Sequence, residues 1–335
     1  MVRLLAVVVA SAIAAAVAVA QGGRDVGETY EDWVVGCDNG LTCKALSLND
    51  GRGELSVERT AGPRAVPLVM MSFAETISGT VSMFVDGREV ARAAVRETTV
   101  VRGAEATAFA VALASGASIE VRQGPRLVSY PSLKGAAAAL RYMDEKQGRT
   151  GTVTALAARG PKASDAVPSP VSLPVIQPLR PPRDQAQPLT AAEQQQARTV
   201  AGCGEEQKDE APEVDAISDA DSLVLIPCGA GPYNSSYRVL IATGMPGRRR
   251  FAFAEFDAVP APGVRGVTAM VYNPVWNADE AVLSDDFRGR GIGDCGSGAS
   301  YVWDCARFRR VSFSSMWECR GSSDRITLWR ATLVR

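Results

Sequence analysis

The chain carries the stretch TVSMFVDGREV at residues 80–90. A run rich in apolar and β-branched residues leads into Asp86-Gly87, and a second short run leaves it. Asp-Gly between two such runs is a strong signal for the tight turn that joins antiparallel strands. The stretch therefore predicts a β-hairpin, and the segments around it repeat the same pattern of short strands and turns.

Most of the other periodic segments also predict short strands. Before residue 160 we expect strands at 33–37, 54–58, 66–70, 109–113, 118–121 and 152–156. After residue 200 we expect them at 223–226, 237–241, 250–256, 266–272, 301–303, 310–313 and 326–329. Short strands separated by Gly- and Asp-rich turns are typical of sandwiches and small barrels. The predicted fold class is mainly β, with two β-sandwich or barrel-like domains.

One amphipathic helix is predicted in the first of these domains, over residues 133–147. Ser132 is a suitable N-cap residue for it. Apolar side chains that include Leu140 and Met143 recur at three- and four-residue steps, which gives one apolar stripe. Asp144 is expected to face away from that stripe, towards solvent.

A proline-rich segment divides the chain. Eight prolines lie between residues 161 and 188, followed by a Gln-rich run. Proline removes backbone donors and favours extended chain, so we expect no sheet and no long helix there. The sequence predicts a domain at 24–160, a linker at 161–199 and a domain at 200–335. One domain with an ordered proline-rich crossover is the alternative.

The first twenty residues predict a signal peptide. Arg3 precedes an Ala- and Val-rich run that ends in Ala18-Val19-Ala20, a small-x-small cleavage pattern. An uncleaved membrane anchor is the alternative. We expect no transmembrane segment after removal of residues 1–20, and we expect the mature protein in the periplasm or secreted.

The composition excludes several chemistries. The chain has no histidine, so histidine-based triads and histidine metal ligands are absent. Its 36 basic and 37 acidic residues nearly balance, which gives no global field that favours nucleic acid. We expect no cofactor, no metal and no nucleic-acid partner.

Seven cysteines in an exported chain predict disulfides. Cys37 and Cys43 enclose a turn-rich loop and predict a local disulfide. Cys203 and Cys228 would close a longer loop. No Cys-x-x-Cys pair is present for zinc or redox chemistry. One cysteine must stay unpaired among the remaining three, which are Cys295, Cys305 and Cys319.

The Gly-rich stretch at residues 285–296 holds the first candidate ligand residues, Arg290 and Asp294. Its aspartates could bind calcium or act as an acid–base pair, and Arg290 with the glycines could hold an anion. The interpretation that the sequence favours is a tight structural corner, in which the aspartates cap turns. The aromatic residues Trp303 and Trp317 could contact a glycan, or they could be core residues. For a hydrolase, the sequence does not say whether the carboxylates approach one another; those considered are Asp294, Asp304 and Glu318.

Several blocks resemble the exported bacterial family known as domain of unknown function 1176. They are Asp32-Trp33, Cys37-Asp38-Asn39, Pro227-Cys228, Tyr233-Asn234, Gly289-Arg290-Gly291-Ile292-Gly293-Asp294-Cys295-Gly296, Trp317-Glu318-Cys319-Arg320-Gly321 and Leu328-Trp329-Arg330. The opening block and Ser132-Leu133-Lys134-Gly135 also resemble invasion-associated locus B proteins, which are envelope or secreted β-sandwich proteins. That second resemblance covers the first domain only.

The first resemblance implies a complete cysteine pairing and no catalytic residues. The implied disulfides are Cys37 with Cys43, Cys203 with Cys228, and Cys295 with Cys319. Cys305 then stands where the family is expected to have glycine, and it is the free thiol.

The sequence favours a non-enzymatic binding or interaction protein of the bacterial envelope. Its partner would be a protein, a glycan or a lipid headgroup. A carboxylate-dependent hydrolase of an envelope polymer and a calcium-stabilised scaffold are the alternatives.

Overall fold

The computed structural model describes residues 27–48, 50–179, 186–204, 207, 209–257, 270–322 and 324–334. The predicted signal peptide, residues 1–20, lies outside the described residues. Within the described ranges, no helix is both long enough and apolar enough to cross a bilayer. We call residues 27–160 the first half, residues 161–204 the connecting segment and residues 209–334 the second half.

The described part of the first half forms two antiparallel sheets and two helices. Its elements are β1 Glu28–Tyr30, β2 Trp33–Cys37, β3 Cys43–Ser47, β4 Glu54–Arg59, β5 Leu68–Ser72, β6 Thr80–Val85, β7 Arg88–Ala94, β8 Thr99–Val101, α1 Gly103–Ser115, β9 Ile119–Gln123, β10 Arg126–Ser129 and α2 Ala136–Lys146. The strand orders are β1-β2-β3-β4-β5-β8 and β10-β9-β6-β7. The predicted hairpin is confirmed, since β6 pairs with β7. Asp86 and Gly87 both have positive φ, as a type I′ turn requires.

The predicted strand over residues 109–113 is wrong, because these residues belong to α1. Ala106, Phe109, Ala110 and Leu113 form its buried face at three- and four-residue steps. Alanine is the strongest helix former, and α1 is rich in it. A five-residue window is too short to separate the helical period from a buried strand.

The helix α2 begins three residues later than predicted. Gly135, with φ of 88°, takes the N-cap position, and Ser132 lies before it. The apolar stripe through Leu140 and Met143 is buried in the core of the first half, as expected. The prediction for Asp144 is wrong, because its side chain is fully buried.

The burial of Asp144 is tolerated because its carboxylate accepts hydrogen bonds from residues that are distant in the sequence. The guanidinium of Arg59 donates to it at 2.8 Å. The backbone amides of Leu156, Ala157 and Ala158 donate to the same carboxylate at 2.8 to 3.0 Å. The predicted strand at 152–156 is therefore wrong, since the amides at its end serve a buried side chain and not a neighbouring strand.

After residue 160 the described chain is again mainly β. Its elements are β11 Val175–Ile176, α3 Ala191–Ala201, β12 Glu213–Ala216, β13 Asp221–Ala230, β14 Ser235–Thr243, β15 Arg250–Phe253, β16 Met270–Tyr272, β17 Val275–Asn277, β18 Val282–Arg288, β19 Gly296–Trp303, β20 Phe308–Met316, β21 Ile326–Arg330 and β22 Thr332–Leu333. A short 3₁₀ turn covers Ser164–Ala166. The mainly β fold class is confirmed.

The connecting segment has more regular structure than its prolines predict. β11 pairs in parallel with β22. The helix α3 begins at a capping box, in which Thr190 and Glu193 hydrogen-bond each other's backbone N–H. The expectation of no long helix in 161–199 is wrong for its final part, because the proline run ends before this capping signal. The boundaries of the two predicted domains stay a prediction.

The described part of the second half forms two antiparallel sheets. Their strand orders are β12-β13-β14-β15, with β16 also on β14, and β17-β18-β19-β20-β21. The core between them includes Leu225, Val239, Leu283, Tyr301 and Phe308. The strands predicted after residue 200 all have counterparts here, except that most of the predicted strand at 266–272 lies outside the described residues.

The two halves meet in a separate apolar cluster, which we call the junction. Val34, Leu46 and Leu48 of the first half pack with second-half side chains, which are Cys295, Met316, Ile326 and Leu328. Gly36 permits the close approach, because a Cβ there would lie within 3 Å of Ile326 and Leu328 side-chain atoms. The junction therefore joins β2 and β3 to β21.

Candidate functional site

The Gly-rich loop at residues 289–296 is held closed by its own candidate ligand residues. Arg290 Nε donates to Asp294 Oδ1 at 2.6 Å, and Nη2 donates to Oδ2. The backbone N–H of Gly321 also donates to Asp294, at 2.7 Å. The hydrogen bonds from Arg290 lower the pKa of Asp294 below its ordinary value. This carboxylate is buried and fully engaged in holding the loop against the segment around Gly321.

A disulfide between Cys295 and Cys319 ties the same loop to that segment. The other disulfides join Cys37 to Cys43 and Cys203 to Cys228. These are the pairs that the family resemblance implies. Cys305 is an exposed free cysteine with φ of 79°, a backbone region that favours glycine.

Trp317 and Trp303 lie in different surroundings. Trp317 donates from Nε1 to Thr29 Oγ1 at 2.8 Å, and Thr29 donates to Glu318 at 2.9 Å. Trp317 therefore braces the start of the first half. Trp303 is buried in the second-half core, with its ring centroid 5.2 Å from that of Phe308.

The four predicted ligand residues therefore do not form one site. Arg290 and Asp294 close a loop, Trp317 contacts the first half, and Trp303 packs in a core. Trp303 also borders a shallow groove of about 400 Å³ that includes Cys305 and Phe253. Trp303 is the predicted ligand residue that the structure places beside this groove.

Two arginines connect the motif blocks across the junction. Arg320 donates to Asp32 at 2.7 Å and also pairs with Asp50. Arg330 pairs with Asp38, in the loop closed by Cys37 and Cys43. The side chain of Asn39 exchanges two hydrogen bonds with the backbone of Arg330, at 2.8 and 3.0 Å. The motif blocks at the two ends of the chain thus serve to hold the halves together.

The carboxylates considered for a hydrolase also have structural partners. Asp304 accepts from the amides of Ala306 and Arg307 at 3.0 and 2.9 Å, which is an Asx turn. Glu318 accepts from Thr29, and Asp294 is engaged by Arg290. In the part of the chain that the structure describes, no group of three or more Cys, Asp or Glu side chains is placed to hold a metal ion.

Three large apolar side chains stand exposed in and beside the Gly-rich loop. We call the surface formed by Tyr233, Phe287 and Ile292 the corner. Ile292 at the loop tip is 75% exposed, and the other two side chains are also exposed. The ring of Tyr233 packs on Gly291, where a Cβ would lie 3.2 Å from the ring. The ring of Phe287 contacts Tyr272 edge-on at 5.1 Å.

Two asparagines hold the corner in shape. Asn234 exchanges hydrogen bonds with the backbone of Arg288, at 2.8 and 2.9 Å. Asn273 donates to Asn234 Oδ1 at 2.9 Å and to the backbone oxygen of Asp286 at 2.8 Å. The corner is therefore pinned to β18 through side-chain amides, and its apolar side chains are presented on a fixed backbone.

Beneath the corner lies the buried carboxyl group of Asp285. The backbone N–H of Tyr272 donates to it at 2.6 Å. Burial, together with the neighbouring charge of Asp286, raises the pKa of Asp285 to about 7, while that hydrogen bond and Arg325 oppose the rise. The sequence alone does not distinguish Asp285 from Asp286. Side chains alternate between the two faces of β18, and this alternation buries Asp285 and leaves Asp286 on the other face.

A second concave feature lies where the halves meet, and sequence analysis missed it. We call it the cleft; it has a volume of about 380 Å³. Glu54 at the start of β4 and Asp324 before β21 face it from opposite halves. Burial raises the pKa of Glu54 above its ordinary value, and the charge of Asp324 adds to the rise. The two residues are 270 positions apart, so no local pattern could have joined them.

Comparison with family models identifies one family. A family model described as "Protein of unknown function (DUF1176)" matches residues 27–332. The Escherichia coli (strain K12) protein described as "Uncharacterized protein YpfG" is 25% identical over 334 residues, which cover 90% of this chain and 91% of that protein. No solved structure matches the chain. Since the family model spans both halves and the junction between them, this chain belongs to the DUF1176 family.

Proposed function

We propose that this protein is a non-enzymatic binding protein of the bacterial envelope and that the corner is its binding surface. The observation that carries the proposal is the exposed apolar group of Tyr233, Phe287 and Ile292. Tyr233 lies against Gly291, the neighbour of Ile292 in the chain, and exposed apolar surface that extends over adjacent residues marks an interaction site. The backbone beneath them is fixed, so binding would lose little conformational entropy.

The composition of the corner favours a protein partner over a glycan or a lipid headgroup. Aromatic residues and arginine are enriched in protein interfaces and supply most hot spots. Arg288 and Arg290 border the apolar side chains, and both are about half exposed. Arg290 pairs with Asp294, and Arg288 and Arg325 share Asp286, so the excess positive charge is that of a single arginine and is small for an anionic lipid surface. The partner class we propose is therefore a protein with a complementary apolar patch.

The proposed location is the periplasm or the extracellular space. Disulfides persist in oxidising compartments and are rare in the bacterial cytosol. The three disulfides support an exported protein in this sense. The signal peptide and the resemblance of the first half to invasion-associated locus B proteins stay predictions.

The corner can be tested by cross-linking capture of the tagged full-length protein in bacterial envelopes. The variant Ile292→Asp places a charge at the most exposed apolar position of the corner. Its matched control is Met245→Asp, which makes the same change at an apolar residue that is 78% exposed on a different turn. We expect one protein to be captured by wild type and by the control, and about tenfold less of it by Ile292→Asp, which corresponds to ~1.4 kcal/mol.

Two results would contradict this proposal. Equal capture by all three proteins would show that the corner is not the contact surface. Binding to purified sacculi or to lipid vesicles that is lost in Ile292→Asp, without any captured protein, would move the partner class to glycan or lipid. Thermal unfolding of each variant checks that the fold is retained.

A further inference from the structure

The cleft presents a buried carboxyl group that lacks a full set of partners. Glu54 is 8% exposed and lines the cleft. Its Oε2 accepts a hydrogen bond from Ser322 of the second half. No described residue donates a hydrogen bond to its Oε1, and this oxygen is not completely buried. One oxygen of a nearly buried carboxyl group is therefore left for whatever occupies the cleft.

The charges around Glu54 do not balance. The charged groups that act on it are Asp324 and Lys44. Lys44 forms an ion pair with Asp324, and the lysine side chain is largely buried. The single ammonium group is thus already paired, and an ionised Glu54 would have no cation of its own. Burying a carboxylate without a counter-charge is unfavourable, so a ligand that brings a positive charge would be stabilised here.

The remaining lining side chains suit a primary ammonium group. An ammonium carries three donors and no acceptor. Besides Glu54, the cleft is lined by Ser56, Ser72 and Thr98, whose hydroxyl oxygens can accept hydrogen bonds. Met70 adds a flexible apolar wall, which suits the carbon chain of an amine. An anion would instead face two carboxyl groups.

We propose that the cleft is a binding site for a ligand that carries a primary ammonium group, held by Glu54 Oε1. Asp324 adds a second negative charge, and Lys44 keeps Asp324 in place. The site takes residues from both halves, so it exists only when the junction is formed. It is separate from the corner and does not depend on the function proposed for the corner.

Three classes of amine would present the same chemistry, and each has an uncharged counterpart. The probes are putrescine with butanediol, glucosamine with glucose, and Nα-acetyl-lysine amide with Nα-acetyl-norleucine amide. Titration calorimetry of the purified full chain should show heat and saturation for at least one ammonium probe and for none of the counterparts. The probe that binds identifies the source as a free polyamine, an amino sugar or a peptide side chain.

Variants separate this site from non-specific attraction of cations. Glu54→Gln keeps the shape and removes the charge, and it should weaken the bound probe at least tenfold. Glu58→Gln makes the same change on the same strand, at a residue that does not line the cleft, and it should bind like wild type. If Glu54→Gln does not fold, Asp324→Asn serves in its place with a smaller loss of affinity.

Proton release gives a second measurement that a structural role for Glu54 would not affect. An ammonium probe stabilises the ionised carboxylate, so binding should release protons at a pH below the raised pKa of Glu54. Calorimetry in two buffers of different ionisation enthalpy measures this release. The proposal is wrong if no ammonium probe binds, if the uncharged counterparts bind equally well, or if a folded Glu54→Gln protein binds like wild type.

Discussion

Each half of the molecule buries an aspartate, but the two carboxyl groups differ in the number of hydrogen-bond donors and counter-charges around them. Asp144 in the first half is fully buried and receives Arg59 and three backbone amides. Asp285 in the second half is 5% exposed and receives one backbone N–H, from Tyr272. The first carboxylate is matched by charge and by hydrogen bonds, while the second has little that offsets its charge.

The comparison teaches that burial alone does not say what a carboxylate does for stability. A buried charge with a counter-ion and hydrogen-bond donors holds the surrounding elements in place. If one charge of the pair is removed, the remaining buried charge bears its full desolvation cost. A buried carboxyl group with few donors avoids that cost by keeping its proton. Asp144 therefore ties α2 to the loop at 156–158, whereas Asp285 makes the second half sensitive to pH.

The largest expected effect comes from Asp144→Ala. It leaves the buried guanidinium of Arg59 unpaired and the amides at 156–158 without an acceptor. We expect a loss of about 3–5 kcal/mol in the free energy of unfolding, measured by urea denaturation. The control is Glu145→Ala, which changes the next, exposed residue of α2 and should have little effect.

The double variant Arg59→Met with Asp144→Leu sharpens the same point. It removes both charges of the ion pair together, so Arg59 is not left buried without its carboxylate. The loop amides lose their acceptor, Gln147 Oε1 loses the donor that Arg59 supplies at 2.7 Å, and the buried Arg149 loses the nearby charge of Asp144. Its loss of stability should be smaller than that of Asp144→Ala. A double variant that is less stable than the single one would show that the ion pair is not the main contribution.

A smaller effect of opposite sign is expected for Asp285→Asn. The pKa of Asp285 is raised to about 7 from 3.8, so the folded state binds this proton more tightly than the unfolded state does. The resulting stability is fully present below the unfolded pKa and is lost as pH rises through about 7. Asparagine keeps an acceptor for Tyr272 and carries no charge. At about pH 8 the variant should be more stable than wild type by roughly 2 kcal/mol, because it buries no charge. The gain is smaller than the full pKa shift implies, since the buried amide NH₂ of asparagine lacks a hydrogen-bond partner.

The measurement for Asp285→Asn is the difference in unfolding free energy between wild type and variant across pH. That difference should grow from acidic to neutral pH, since other titrating groups are common to both proteins. A difference that stays constant with pH would mean that folding leaves the pKa of Asp285 at its ordinary value.

The smallest expected effect is that of Asp286→Asn. This change removes the negative charge that raises the pKa of Asp285. In the wild type Arg325 pairs with Asp286 at 2.6 Å, so in the variant Arg325 stays near Asp285 without a carboxylate partner. Both consequences favour the ionised form of Asp285. The pH midpoint of the stability change should move down by less than about one unit. An upward shift would mean that Arg325 moves away from Asp285.

Local sequence signals predicted local structure well. The Asp86-Gly87 turn and the strands around it follow from residues within a few positions of one another. Helix α1 was not predicted, because the helical spacing of its buried residues is recognisable only over a window longer than five residues. Helix α3 was missed for a different reason: the proline run beside it outweighed the capping box at Thr190.

The functional candidates depended on contacts that no local pattern contains. Asp144 was expected at the surface because its partner, Arg59, lies 85 positions away. Glu54 and Asp324 meet across almost the whole chain, and neither stood out in the sequence. The motif blocks near both ends were conspicuous, yet the structure uses Arg320 and Arg330 to join the halves. In this molecule the conspicuous residues hold the architecture, and the cleft is formed by inconspicuous ones.

The position of the junction in the chain has a consequence for how the protein is made. Ile326 and Leu328 cover Val34, Leu46 and Leu48, but they are synthesised about 280 residues later. During synthesis the first half therefore carries an uncovered apolar surface until residues 326–328 have been made. A product that stops shortly before β21 would keep that surface permanently open, and exposed apolar surface of this kind promotes aggregation.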